Sequence, residues 1–341
     1  MKTKNIFHPH TIALAVALLF NLSTSATDVG SPKGAFSVSP TGGSVYSVAI
    51  EAPIGIKEMQ PNIAITYNSQ SGPGIAGYGC SISGISVITR TPKDVAHDST
   101  AVKGVTFQNT DAFCLDGKRL LFQSGTEGAE GAVYTPEGEP FTEVVLHTST
   151  YESSPTVWFE VRSSNGVTRR YGNGISQSLY VYKSGTYYQN AWYISRVEDQ
   201  MGNYMTYSYY HDQNFIYPSQ IDYGYNNGGG GCPYIVNFTY EDEPYDQQSS
   251  YVKGVKVTKA KRLSNITTSL ANITYRSYDF TYSSMTMGNR SFSALSSVTE
   301  KNGNNDELSP ITYTWNSSSG YTQSATHPIV TLAQSTSIVK I

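Results

Sequence analysis

Along most of the chain apolar and polar residues alternate with a period of two, the pattern of strands that bury one face. Ile63, Ile65 and Tyr67 alternate with Ala64 and Thr66; Val236, Phe238 and Tyr240 do the same, as do Tyr278, Phe280 and Tyr282, and Ile311, Tyr313 and Trp315. Val157 to Val161 is mostly apolar and aromatic and runs into Ser164-Asn165-Gly166, whose Asn-Gly pair predicts a primed hairpin turn. Trp192-Tyr193-Ile194 leads to a turn at Asp199-Gln200-Met201-Gly202-Asn203, after which Tyr204 to Tyr210 departs as a new strand. The stretch Val255 to Met287 lacks Gly and Pro, but its many Thr, Ser, Tyr, Ile and Val positions disfavour a sustained helix. A strand at Val255 to Val257 with two more after it is predicted there. Ile194 to Asp199, followed by Gly202-Asn203, is echoed 101 residues later by Leu295 to Glu300, followed by Gly303-Asn304. A wrapped sheet of repeated hairpins would produce such an echo. The expected fold is all-β: many short antiparallel strands in a large wrapped or sandwich-like sheet assembly, with little helix.

Composition narrows the class. Only 14 % of the 341 residues are charged, against ~25 % in ordinary soluble domains. The 23 basic residues are outnumbered by 26 acidic ones, so there is no basic footprint for nucleic acid. With 27 tyrosines and 30 glycines the chain is aromatic rather than disordered in composition. Lys2 and Lys4 precede an apolar run from Thr11 to Leu22, and Thr24-Ser25-Ala26 offers small residues for cleavage. A run of about a dozen residues is too short for the ~20 of a spanning helix. Residues 1–26 therefore read as a signal peptide and the protein as secreted, with no membrane span in the mature chain. Cleavage removes two lysines and no acid, taking the formal net charge from −3 to −5. Residues 27–33 read as a linker, 34–317 as one β-rich domain, and 318–341 as a tail or the start of a following β-region.

Candidate chemistry is sparse. Cys80, Cys114 and Cys232 form no Cys-x-x-Cys; one disulfide plus a free thiol and three buried thiols both fit this set. His97, His147, His211 and His327 are scattered, and no ligand spacing for a metal is present. Gly72, Gly74, Gly77, Gly79 and Gly84 read as turn and bulge positions where a side chain would clash or φ must be positive. A phosphate cradle would need Gly-Lys-Ser/Thr opening a helix, which does not follow. Asp199, Gly202 and Asn203 read as a hairpin turn, since the acidic spacing of a calcium loop is missing. Glu198 and Asp199 would point to opposite faces of a strand, so they do not converge as a glycosidase pair. No nucleophile elbow and no His-Glu-x-x-His helix occurs. No catalytic residue, cofactor or metal is expected.

The order of several blocks is specific enough to carry a resemblance. Gly34 to Ser39, Thr41 to Tyr46 and Ala52-Pro53-Ile54-Gly55 are followed by Pro61 to Ser69, Gly72 to Gly79, Ser81 to Gly84 and Ile88-Thr89-Arg90. Later come Asp111-Ala112-Phe113 with Leu115-Asp116-Gly117, Trp192 to Asn203 with Tyr207 and Tyr209, Ile221 to Gly224, Phe238 to Glu241, Tyr278 to Tyr282, Ser291 to Glu300 and Pro310 to Trp315. Over roughly 34–317 this resembles the SpvB-type amino-terminal domain, which also opens the B component of Tc insecticidal toxins and many RHS/YD-repeat proteins. The resemblance implies a non-catalytic scaffold or shell that carries an effector. Its implied partners are other toxin-complex or RHS components, or a downstream region of the same polypeptide.

Some members carry an ADP-ribosyltransferase domain with an Arg, a Ser-Thr-Ser strand and then Glu-x-Glu. Here Ser335-Thr336-Ser337 has no Glu-x-Glu after it; Glu137-Gly138-Glu139 and Glu241-Asp242-Glu243 both precede it, and Thr148-Ser149-Thr150 matches only loosely. The transferase is expected to be missing. The tyrosine excess also suits a carbohydrate- or surface-binding β-module, although half-buried strand tyrosines account for the same count.

Overall fold

In the computed structural model of the chain, residues 30–98, 102–229, 231–316, 331–334 and 337–340 are described, with the side chains of 232, 233, 331–334 and 337–340 left aside. The expected signal peptide, residues 27–29 of the expected linker, His327, the Cys232 side chain and much of the tail lie outside the described residues.

The fold is all-β, and its centre is a closed barrel. Eight strands form the ring: Val87–Thr91, Ala112–Leu115, Lys118–Ser124, Val133–Pro136, Glu143–Tyr151, Ser154–Arg162, Thr168–Tyr171 and Thr186–Glu198. Each pairs antiparallel with the next, and the last returns to the first through Ala191, Trp192 and Tyr193. Closure removes the open edges that a free sheet would expose.

The barrel is filled, not hollow. Phe113, Phe159 and Trp192 meet edge-to-face with centroids 5.1–5.5 Å apart, a geometry that the ring quadrupoles favour. Trp192 Nε1 donates to the Val157 carbonyl at 2.7 Å, so its one polar atom is satisfied inside. Arg90 lies over Trp192 and Phe113, its guanidinium 5.1 and 5.4 Å from the ring centroids, and pairs with Asp111 at 3.1 Å. Both side chains are buried, and Asp111 also accepts from the Thr106 and Phe107 amides.

Strand Thr186–Glu198 is the junction of the molecule. One edge pairs first with Ser178–Lys183 and then with Thr168–Tyr171; the other pairs with Val87–Thr91 and then, through Arg196 to Glu198, with Asn203–Asp212. From there a single sheet continues outward through Phe215–Asn226, Gly231–Asp242, Lys261–Leu270, Ile273–Met287, Arg290–Asn302, Ile311–Thr314, Thr331–Gln334 and Ser337–Lys340. Several of these strands are longer than the alternation alone suggested. Ile273–Met287 has 15 residues, and the two-residue turn before it falls at Ala271-Asn272, where no Gly or Pro marks it.

A four-stranded sheet of Gly34–Val38, Ser44–Ala49, Ala64–Asn68 and Cys80–Ser83 covers the outer sheet. The layers share one core containing Val48, Ile63, Ile65, Tyr223, Leu263, Ile266 and Tyr278. Tyrosine hydroxyls bridge the layers. Tyr278 accepts from the Glu51 amide at 2.9 Å, and Tyr223 donates to the Pro53 carbonyl at 2.7 Å. A hydroxyl at the end of a flat ring lets these tyrosines fill the core and still satisfy the backbone of the opposing layer.

Most of the hairpin turns follow two recipes. Asp116-Gly117, Glu152-Ser153, Ser184-Gly185, Gln213-Asn214, Lys253-Gly254 and Ala271-Asn272 each place two consecutive residues at positive φ, the two-residue primed turn that matches strand twist. The second recipe has three residues in the loop. At Ser39/Gly43, Ser163/Val167, Asp199/Asn203 and Asn302/Asp306, the amide of the first residue donates to the carbonyl of the last, and the residue before the last is left-handed. Those left-handed residues are Gly42, Gly166, Gly202 and Asn305. Asn165-Gly166 is therefore not a primed two-residue turn as the sequence suggested, because only Gly166 of that pair has positive φ. The echo of 101 residues does not carry over into geometry: the shared turn aligns Asp199 with Asn302, an offset of 103, and the same turn also closes Ser39/Gly43 and Ser163/Val167.

Candidate functional site

Within the glycine-rich segment 72–84, residues 72–79 form a strap that leads into the covering-sheet strand Cys80–Ser83. Gly77, Gly79 and Gly84 have φ of +97°, +70° and +92°. At Gly74 an added Cβ would sit 1.9 Å from the Cys80 carbonyl oxygen, so close backbone approach excludes any side chain. Gly72 differs from the other four: its φ is not left-handed and no atom lies within 4 Å of a Cβ placed there. The Leu263 amide donates to the Ile75 carbonyl at 2.7 Å, and the Tyr78 ring packs edge-on against Phe292 and Trp315.

A charged cluster that no sequence pattern indicated fastens the strap. Lys259 is buried, and its Nζ donates to the carbonyls of Pro73 at 2.6 Å and Gly74 at 3.0 Å. Burial pulls the Lys259 ammonium down to about 8, opposed by the carboxylates of Glu243 and Asp246. Glu243 Oε1 in turn accepts from Ser293 Oγ at 2.6 Å and from the Tyr245 amide at 3.0 Å. Arg262 donates to Ser293 Oγ, and Arg290 pairs with Asp246 at 2.7 Å. Lys259 lies 186 and 185 residues along the chain from Pro73 and Gly74, so local patterning carried no sign of it.

Asp199, Gly202 and Asn203 form one closed turn. Asp199 Oδ1 accepts from the Met201 and Asn203 amides at 2.8 and 2.9 Å, and Asn203 Nδ2 donates to Oδ2 at 2.7 Å. The turn carries its own hydrogen bonds to the carboxylate, which hold the Asp199 pKa low against the opposing effect of burial. Glu198 is engaged elsewhere, with Arg196 at 2.9 Å and with Asn227.

The remaining carboxylates are likewise dispersed. Glu241 pairs with Arg262 and Asp242 with Lys261; Glu139 pairs with Lys118, and Glu137 approaches His97 at 3.6 Å. Ser335-Thr336 lies outside the described residues. His97 is also held by Asp94, His147 by Glu130, and His211 by the Ser176 carbonyl. Cys80 and Cys114 are free thiols; burial pushes Cys80 up to about 12, which leaves it protonated and unreactive. Among the described residues no group of three His, Cys, Asp or Glu side chains is placed to hold a metal ion. No helix among them is long and apolar enough to cross a membrane.

Known proteins agree with this architecture. A crystal structure of TcdB2-TccC3 superposes with a TM-score of 0.65 at 14 % identity, covering 85 % of this chain and 17 % of that one. The Photorhabdus luminescens Tc holotoxin pore, carrying the TccC3 mutation D651A, gives a TM-score of 0.64 at 14 % identity over 86 % of this chain and 17 % of that chain. The N-terminal domain of the effector protein SpvB from Salmonella typhimurium strain LT2 gives 0.56 at 16 % identity, covering 75 % of this chain and 98 % of that domain. The chain thus spans a small part of the Tc polypeptides and nearly all of the SpvB domain. A comparison with curated proteins finds no match. Residues 38–227, more than half of the chain, match the SpvB family, described as Salmonella virulence plasmid 65kDa B protein, and the chain belongs to that family.

Proposed function

We propose that the protein is an exported, non-catalytic scaffold module of an SpvB-, Tc- or RHS-type toxin assembly, forming part of a wall that carries an effector. The observation that carries this reading is the two-layer wall itself. One continuous sheet grows out of a filled barrel, and the segment Glu51–Pro53, just after strand Ser44–Ala49 of the covering sheet, is bonded onto it through tyrosine hydroxyls. Such a wall resists bending because sliding the layers would break hydrogen bonds in a water-free interior, where each orphaned group costs about 1–3 kcal/mol. Many of the carboxylates and bases are occupied in ion pairs and turns, in keeping with a structural role. The family resemblance supplies the class of partner.

An affinity-tagged full-length chain, expressed in its source organism, tests this reading. It should lose residues 1–26, appear outside the cytoplasm, and co-purify with RHS- or Tc-type polypeptides at fixed stoichiometry. Incubation with labelled NAD and host-cell lysate should leave no protein modified. Recovery as a lone monomer retained in the cytoplasm, or NAD-dependent labelling, would overturn the proposal.

A further inference from the structure

Three of the clefts in the described surface differ in chemistry. Two are of about 320 Å³ and are walled by charged side chains that already satisfy one another, such as Arg119 with Asp98 in one and Lys118 with Glu139 in the other. The third, of about 210 Å³, lies between the end of hairpin 143–162 and the loop 172–175, and none of its lining residues is charged.

Its walls are two aromatic rings held rigidly from behind. Trp158 stacks on His147 with centroids 4.1 Å apart and planes 18° from parallel, and His147 is fixed by Glu130 at 2.8 Å. Tyr151 is met edge-on by Tyr187 at 5.1 Å, and the Tyr187 hydroxyl donates to Glu152 at 2.9 Å. The floor is equally fixed, because Gln189 accepts from the Val157 amide and donates to Ser178 Oγ. Gly172, at φ +64°, lets the loop pass where a Cβ would lie 2.3 Å from Trp192. Around these rings stand the hydroxyls of Ser149, Thr150 and Thr156 and the amide of Asn173. These four side chains make no hydrogen bond with other described residues, and Ser149, Thr150 and Asn173 are open to solvent.

We propose that this cavity binds one unit of a neutral saccharide. A pyranose ring has an apolar C–H face that packs on an aromatic ring and a rim of hydroxyls that needs neutral donors and acceptors. Both are provided, and no charge is present to favour an acidic sugar. The volume falls below the ~300–1,000 Å³ of pockets for drug-sized ligands, which suits a single ring rather than an oligosaccharide. Walls fixed before binding avoid an ordering cost on association. The site is separate from the scaffold role, and co-purification and sugar binding can each fail without the other.

Saturation-transfer NMR of the mature chain with the methyl glycosides of glucose, galactose, mannose and N-acetylglucosamine, together with an array of neutral and acidic glycans, tests the site. At least one neutral glycoside should receive saturation, and neutral glycans should be retained over sialylated or sulfated ones. Trp158→Ala should weaken binding at least tenfold. Trp158 also packs on His147, so Asn173→Ala, in the exposed loop, serves as the variant that keeps the fold and should weaken binding several-fold. Tyr251→Ala, an exposed tyrosine outside the cavity, should leave it unchanged. Absence of binding by every neutral glycan, preference for acidic ones, or binding untouched by both Trp158→Ala and Asn173→Ala would overturn the assignment.

Discussion

Arg90 is the residue whose environment most exceeds what its neighbours in sequence foretell. It is a full charge inside a barrel, lying over two aromatic rings, and Asp111 supplies its counter-charge. Removing one partner of such a pair leaves the other charged and dry, at a cost of about 3–5 kcal/mol. Asp111→Ala should therefore lower the urea midpoint of unfolding strongly, while the double variant Arg90→Met with Asp111→Leu should recover much of that loss. An Asp111→Ala protein as stable as the parent would refute the buried pair. The glycines make a second residue-scale contrast. Gly74→Ala forces a Cβ onto a backbone oxygen and should cost about 1–3 kcal/mol. Gly72→Ala meets nothing and should stay within about 0.5 kcal/mol of the parent. Sequence spacing gave both glycines the same role; only the position of the Cys80 carbonyl separates them.

Among the elements, the turns were legible where composition matched geometry and hidden where it did not. Asp116-Gly117 and Asp199 to Asn203 carry the Asp, Gly and Asn that left-handed backbone prefers. Ala271-Asn272 does not, because alanine at φ +48° is strained. Ala271→Gly should consequently stabilise the protein, by about 0.4–1 kcal/mol from relieved strain offset by added chain entropy. A lower thermal midpoint for that variant would contradict the primed turn. The strap is held from afar, since Lys259 fastens Pro73 and Gly74 across a long stretch of chain. Lys259→Met leaves two carbonyls unpaired, at about 1–3 kcal/mol each at most. Hydrogen exchange at the Ala76 and Gly79 amides, bonded to the Cys80 and Gly72 carbonyls, should then speed up at least tenfold while barrel amides such as Leu146 keep their protection.

At the scale of the whole molecule, ten of the 27 tyrosines become fully interior structure. Burial pushes the phenols of Tyr67 and Tyr171 up to about 12, and it raises Tyr209 well above its ordinary value. In the unfolded chain a phenol ionises near pH 10. Because the folded values are raised, this contribution to stability is full below pH 10 and is lost as pH climbs through 12. Tyrosinate absorbance from these residues should accordingly rise together with loss of near-ultraviolet circular dichroism. Ionisation of Tyr171 in a protein that keeps its tertiary signal would show that its burial is wrong. The amino-acid sequence by itself determined the strands, most turns, the all-β class and, through the order of its blocks, the family, because alternation and turn chemistry act between residues a few positions apart. Only the tertiary structure decided that eight strands close into a barrel, that Thr186–Glu198 divides its edges between barrel and outer sheet, and that Lys259, Asp111 and the Trp158 cavity have the partners they do. Those facts rest on pairings between distant segments, and their energies come from burial and charge compensation that no local pattern encodes.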